Sequence, residues 1–266
     1  MKTTIAIMAL ALASCCTPML AAGEDASEIL RRFVEADAKN HEKSGQYTYV
    51  EHVDHFTYSK SGEPKKERSE TNEIMFVEGE EYKKLIARND KPLDAREQAK
   101  EDKRLAQTAE ERRKQRKSGM FHKSFTVGSN TELLTLFDCQ FAGEQELKGR
   151  KAWVVDCNPK PDRVPANQHE KDALSFRERI WIDQSEYVAL RKLHTVVAEH
   201  FILEPGGTFQ WDFGKVNEDA WVTTEMVIDG RLQLAKIIKP RVRTEQKTSK
   251  FQKFDVRSTI TIQASE

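Results

Sequence analysis

The chain carries no net charge, few cysteines and no apolar run long enough to span a bilayer, and each shortage closes off a class of function. Lysine plus arginine number 43 and aspartate plus glutamate 43, so no global field draws the chain to nucleic acid and any electrostatic role must be local. No G-x-S-x-G, H-E-x-x-H or phosphate-cradling glycine loop occurs, and the 12 glycines fall mostly at turns. Gly206-Gly207 follows Pro205 in a turn with no helix after it to receive a phosphate. His52 and His55 are three apart, which puts them on opposite faces of a strand, where they do not converge on a metal. His122, His194 and His200 are isolated and read as surface or rim residues. Neither catalysis nor a cofactor is implied.

What is present is aromatic. Hydrophobic residues make up only 38% of the 266, yet 13 Phe, 4 Trp and 5 Tyr are spread among polar residues, as in strands with one wet face. The length suffices for one large domain or two small ones, with a sizeable core.

Lys2 followed by the apolar run Ile5 to Ala13 reads as a signal peptide over residues 1–22. Two processing patterns compete. Leu12-Ala13-Ser14-Cys15 has the form of a lipobox, which makes Cys15 a lipidation candidate, while Met19 to Gly23 has the small residues of ordinary cleavage. Either places the mature chain, a single domain over 23–266, in a compartment where disulfides persist.

The clearest local signal is Phe137 to Cys157. Phe137, Cys139 and Phe141 alternate on one arm, and Trp153, Val155 and Cys157 on the other, about a Lys148-Gly149 turn. A centre at Lys148 sets Cys139 opposite Cys157. An odd loop gives that register, and an even loop offsets the thiols by one residue. A Cys139–Cys157 bridge and two small buried thiols are both open.

Before the hairpin, Asp25 to Ser44 has Ile29, Phe33 and Ala36 on one face, with Asp25 or Ser27 as cap and Gly45 as stop. Strands are expected over Gln46–Tyr58, Glu67–Val77 and Glu81–Arg88, long enough to suit a strongly curved sheet. Asp94 with Glu97 then starts a helix to Lys117 that is almost wholly charged, with Leu105 its one large apolar residue. Its Arg112, Arg113, Lys114, Arg116 and Lys117 form a basic tip that could touch anionic lipid or a partner. The alternative is a solvated spacer or a lid. Phe121–Val127 is a short alternating run, Thr131–Leu136 a helical turn or strand start, and 158–174 a proline-rich loop. Strands resume over Phe176–Asp183, Tyr187–Ala198, Phe209–Phe213, Ala220–Ile228, Arg231–Val242 and Phe251–Ile262, with Asp229-Gly230 as a turn.

In this order, a leader, one helix, a meander beginning YTYVE, LKGRKAWVV, RIWIDQSEYVALRK and DAWVTTEM, the chain resembles the LolA/LolB-like outer-membrane lipoprotein carriers over about residues 25–262. It is longer and carries the charged 94–117 insertion, so it looks like a relative rather than a carrier proper. The resemblance implies a mainly β fold: a large curved antiparallel sheet forming a half-open barrel around an apolar cavity, lidded by helices. It implies a non-catalytic, periplasmic or outer-membrane-tethered protein that binds a lipid, acyl chain or lipoprotein. Tyr47, Tyr49, Phe76, Trp153, Trp181, Trp211 and Trp221 are then the cavity lining, where without the resemblance they would be core filling. The alternative is an envelope sensor or protein-interaction module of the same fold with a packed interior.

Overall fold

The structure is a computed structural model and describes residues 25–59, 61–117, 130–200, 202–233 and 240–254. The leader with Cys15 and the Phe121–Val127 run lie outside them.

Helix α1 (Ala26–Ser44) starts where its sequence predicts. Asp25 accepts from the Ser27 backbone N–H at 3.1 Å and from its hydroxyl at 2.6 Å, and the chain leaves the helix at Gly45, whose N–H reaches the His41 carbonyl. Ile29, Leu30 and Phe33 are its buried stripe.

The strands are β1 (Tyr47–Tyr58), β2 (Pro64–Val77), β3 (Glu80–Arg88), the two-residue β4 (Lys91–Pro92), β5 (Phe137–Leu147), β6 (Arg150–Pro159), β7 (Phe176–Asp183), β8 (Ala189–Val196), β9 (Thr208–Val216), β10 (Ala220–Arg231) and β11 (Arg241–Lys253). Helices α2 (Ala95–Lys117), α3 (Thr131–Leu136) and α4 (Gln168–Ala173) interrupt them. α4 lies within the expected 158–174 loop and is capped by Asn167, which accepts from the Glu170 N–H.

All eleven strands form one antiparallel sheet in the order β4-β3-β2-β1-β11-β10-β9-β8-β7-β6-β5. That order corrects the expected half-open barrel. The sheet ends at β4 on one side and β5 on the other, is not closed and is not strongly curled. The reason lies in β11 and in the helices. Wrapping needs one continuously apolar face, but β11, between β1 and β10, has no buried residue and is polar on both sides from Thr244 to Lys250. Strand alternation also puts α1 and α2 on opposite faces. α1 covers the face of Val155, Ile180 and Ile182, and α2 covers the other face of the β2–β3 hairpin through Met75, Val77 and Tyr82.

The expected strand over 231–242 is likewise corrected. β10 runs through Asp229 and Gly230 to Arg231, and β11 begins at Arg241. Asp229 sits opposite Arg243 and accepts from it at 3.3 Å, so these two residues belong to a ladder rather than a turn.

In the hairpin, Lys148 (φ 54) and Gly149 (φ 76) form a two-residue turn with both residues left-handed. An even loop alone would offset the thiols. One extra residue, Ala142, bulges from β5 between Phe141 and Gly143 and restores the register, so that Cys139 faces Cys157 and the two are bonded. The bridge spans a sequence separation of 18, a loop size at which cross-linking stabilises by about 3 kcal/mol through the unfolded chain. Deleting Ala142 should straighten β5 and leave Cys139 opposite Cys157, whereas inserting one further alanine beside it should offset Cys139 by a residue, onto the opposite face, and prevent the bond. Thiol titration of the denatured variants would then find Cys139 and Cys157 reactive in the insertion and bonded in the deletion. An intact bridge in the insertion would refute the assigned role of the bulge.

α2 is docked along its length rather than free. Leu105 and Ala109 pack on Val77 and Tyr82, and the largely buried Glu101 accepts from the Tyr82 hydroxyl at 3.1 Å and the Leu85 N–H at 3.3 Å. Its basic end grips the β2–β3 turn. Arg112 donates to the carbonyls of Val77, Glu80 and Glu81, Arg113 pairs with Glu78 at 2.6 Å, and Arg116 donates to the Glu78 carbonyl. Lys114 pairs with Glu110 at 2.7 Å.

Candidate functional site

The main core lies under α1 and α3, where Phe33, Leu136, Val155, Ile180 and Ile182 are almost wholly excluded from solvent. Under α1 this face also holds partly buried charge. Lys192 of β8 donates to Asn130 Oδ1 at 2.9 Å, with its ammonium 5.2 Å from the centre of the Phe33 ring and 5.8 Å from that of Phe213. Asn130 in turn donates to Asp37 of α1. Burial pushes the Lys192 amine down, against the Asp37 and Glu178 carboxylates. Glu178 of β7 is also partly buried. Desolvation raises its carboxyl, but the charges of His194 and Lys192 prevail and hold it below the ordinary range. His194 Nε2 stands 3.2 Å from Glu178 Oε2 without hydrogen-bond alignment. Perturbed charges can mark a reactive centre. Here the amine is covered by aromatic rings and a helix, so the group ties α1 to the sheet.

Beyond the end of α1, no helix among the described residues lies over the same face. Strand alternation and register bring Tyr49, Ile74, Phe76 and Phe251 to it. The Tyr49 and Phe251 rings are 5.6 Å apart, and those of Phe76 and Phe254 also 5.6 Å. Ile74 is buried and the four aromatic residues are half-buried. A bulge at Lys250 (φ 54) in β11 turns Phe251 onto Tyr49. Burial first, then the carboxylates of Glu81 and Glu51, pushes the Tyr49 phenol up, so it stays a neutral hydroxyl. The rim is charged, with Lys83 paired to Glu51. The patch offers ring faces and a phenol but no nucleophile, and its chemistry is adsorption of apolar surface.

The seven aromatic residues singled out in the sequence are not brought together. Tyr49 and Phe76 lie in this patch. Trp211 lies farther along the same face, stacked on Phe209 and 4.8 Å from the His194 ring. Tyr47 is buried, with its hydroxyl 3.2 Å from Asp219. Trp153 is core, against Tyr187. Trp221 is buried and donates to Glu186 at 3.1 Å. Trp181 faces the other way, donating to Gln145 at 2.7 Å. Phe251 and Phe254 escaped sequence reasoning because the bulge breaks the period-2 pattern around them. Two ring residues three apart at a strand's end were the available signal.

His55 lies on the opposite face of β1 from His52, as their spacing requires. His52, Asp54 and Asp90 do converge, but Lys66 Nζ already lies 2.6 Å from Asp54 and 3.1 Å from Asp90, supplying the positive charge that the carboxylates attract.

No family model matches the chain, catalytic or otherwise, and no curated protein matches it. Among solved structures it is remotely similar to an outer-membrane lipoprotein-sorting protein domain from Vibrio parahaemolyticus, at 9% identity over 84% of this chain and 92% of that one, with a TM-score of 0.37. It is also similar to a DUF1329 family protein from Desulfovibrio piger, at 11% identity over 87% and 94% with a TM-score of 0.36. A LolA superfamily protein from Nitrosomonas europaea matches at 11% identity over 87% and 94%, with a TM-score of 0.32. No residue's role is carried over from these likenesses.

Proposed function

We propose that the protein is a non-catalytic binding protein of the cell envelope that takes an acyl chain, free or on a lipidated protein, onto the open aromatic patch of its sheet. The observation that supports this most directly is the half-buried group Tyr49, Phe76, Phe251 and Phe254 around Ile74, on the core side of the sheet but beyond the reach of α1. The export signal read from residues 1–22 of the sequence agrees with it. The ligand would lie on a surface rather than inside a barrel, and this sets a number. Full burial yields about 0.8 kcal/mol per methylene. An open face covers about half of each methylene, so affinity should rise about twofold per added carbon, against about fourfold in an enclosed cavity.

A series of fluorescent fatty acids of increasing length, titrated into the purified protein, tests this. We expect graded tightening that Tyr49→Glu and Phe76→Glu abolish with the fold intact by circular dichroism. Affinity independent of chain length would remove the acyl-chain reading and leave a protein-interaction module. That second reading has less to rest on, because three of the arginines at the tip of α2 are engaged by the β2–β3 turn.

A further inference from the structure

The two edges of the sheet are built differently. β4, at one end, is two exposed residues, Lys91 and Pro92, and shortness, a lysine and a proline are the devices that keep an edge from pairing. β5, at the other end, runs for 11 residues with neither lysine, arginine nor proline. Its one edge device is the bulge at Ala142. β6 takes one side of β5, and no strand among the described residues takes the other. Alternate N–H and C=O groups of an edge strand point away from the sheet, so β5 offers a backbone ladder open to a further strand.

The side chains along β5 select what can pair there. Phe141, Glu144 and Glu146 stand opposite Val155, Trp153 and Lys151, and so share the face that α1 covers farther in. Val155 is wholly buried, whereas Phe141, one strand nearer the edge, is 38% exposed. Glu144 and Glu146 on this face, and Asp138 on the other, are exposed, and none of the three carboxylates has a hydrogen-bond or ion-pair partner among the described residues. Lys151 offsets one of these charges at most, so the edge keeps an acidic surplus. A second copy would bring acidic edge to acidic edge, and like charges opposed across a ladder are destabilising. A basic strand would meet opposite charge along the same ladder.

We propose that β5 takes up an extended basic segment of a partner protein as a further strand, with an apolar side chain against Phe141 and lysine or arginine opposite Glu144 and Glu146. Backbone pairing would supply the hold, and the side chains on this one face the selection. The edge lies apart from the aromatic patch on β1, β2 and the end of β11, so either site can fail without the other.

Anisotropy titration of the full chain with a labelled, end-blocked peptide Thr-Lys-Thr-Lys-Thr-Ile-Thr tests this. Laid antiparallel to β5, it sets its lysines opposite Glu146 and Glu144 and its isoleucine against Phe141. We expect saturable one-to-one binding that weakens as salt is added. Replacing Glu144→Lys and Glu146→Lys together should weaken it about tenfold or more. Both sites are exposed and unpaired, so the variant should keep the wild-type circular dichroism. N-methylation of alternate peptide amides should abolish binding for one set and spare the other, because only one set faces β5. The proposal is overturned by lack of saturable binding, by equal binding in wild type and the folded charge-reversed variant, or by equal effects of the two methylation sets, which would leave charge attraction without strand pairing. It is also overturned if the free wild type sediments as a dimer that Phe141→Asp dissociates, which would assign the edge to a second copy.

Discussion

Phe33→Ala is expected to destabilise the protein by about 3–5 kcal/mol and to free α1 from the sheet. Phe33 has no exposed surface, and the helix has only Ile29 and Leu30 beside it as fully buried anchors. The ring also covers charge. Lys192 lies 5.2 Å from its centre, held by Asn130, which bonds Asp37 on the same helix. Truncation therefore opens a void beside the partly buried ammonium of Lys192. Urea unfolding should show a lower midpoint, and the slope should fall if α1 is already detached in the native state. Lys39→Ala, at an exposed position of the same helix, should change stability by less than about 0.5 kcal/mol. Equal effects at both sites would mean that α1 is not docked as described.

α1 was legible because its information is local: a cap, apolar residues at helical spacing and a terminal glycine. The hairpin was legible for the same reason, but its register was not. The two-residue turn argues for offset thiols, and only the bulge at Ala142, which no residue pattern announces, sets Cys139 against Cys157. β11 was hidden because Thr244 to Lys250 is polar throughout, and a strand is recognised by an apolar side that this one lacks. The same polarity explains why a barrel was expected and an open sheet is found. Local periodicity says that strands exist, whereas closure depends on whether one face stays apolar across all of them. The pairing of Arg231 with Arg241 was out of reach for a related reason. Arg231 and Arg241 are ten apart in what reads as one strand, and they become direct neighbours only when the chain reverses between them.

Opposite-face covering also bears on function. α1 and α2 each stabilise one half of the sheet, α1 over β5–β10 and α2 over the β2–β3 hairpin, and neither reaches the aromatic patch. Among the described residues the patch has no helix over it, and the middle of β11 beside it is polar. A ligand site on such a sheet is a surface between two supported halves, and its affinity is limited by one-sided contact.

The second large effect is expected at Asp183, which is 2% exposed. Its carboxylate accepts from Arg150 Nε at 2.6 Å and Nη2 at 3.1 Å, from the Ser185 N–H at 2.9 Å and hydroxyl at 2.6 Å, and from the Glu186 N–H at 2.8 Å. It thereby fastens the β7–β8 turn to the hairpin. Arg150 also lies over the Trp221 ring at 5.0 Å, and Trp221 exchanges backbone bonds with Asn40 of α1. Asp183→Asn keeps the shape but leaves Arg150 without its buried counter-charge, and should cost about 3 kcal/mol near neutral pH. The pH dependence identifies the cause. Burial by itself raises the Asp183 carboxyl, but the bonds from Arg150, Ser185 and Glu186 outweigh it and hold it below the ordinary value. A depressed carboxyl contributes fully above its unfolded pKa, about 3.9, and loses that contribution as pH falls through the folded value. Wild type should therefore lose stability more steeply than Asp183→Asn below about pH 4, and the gap between them should narrow as acid is added. A gap that stays constant from neutrality to pH 3 would show that Asp183 acts through shape rather than charge.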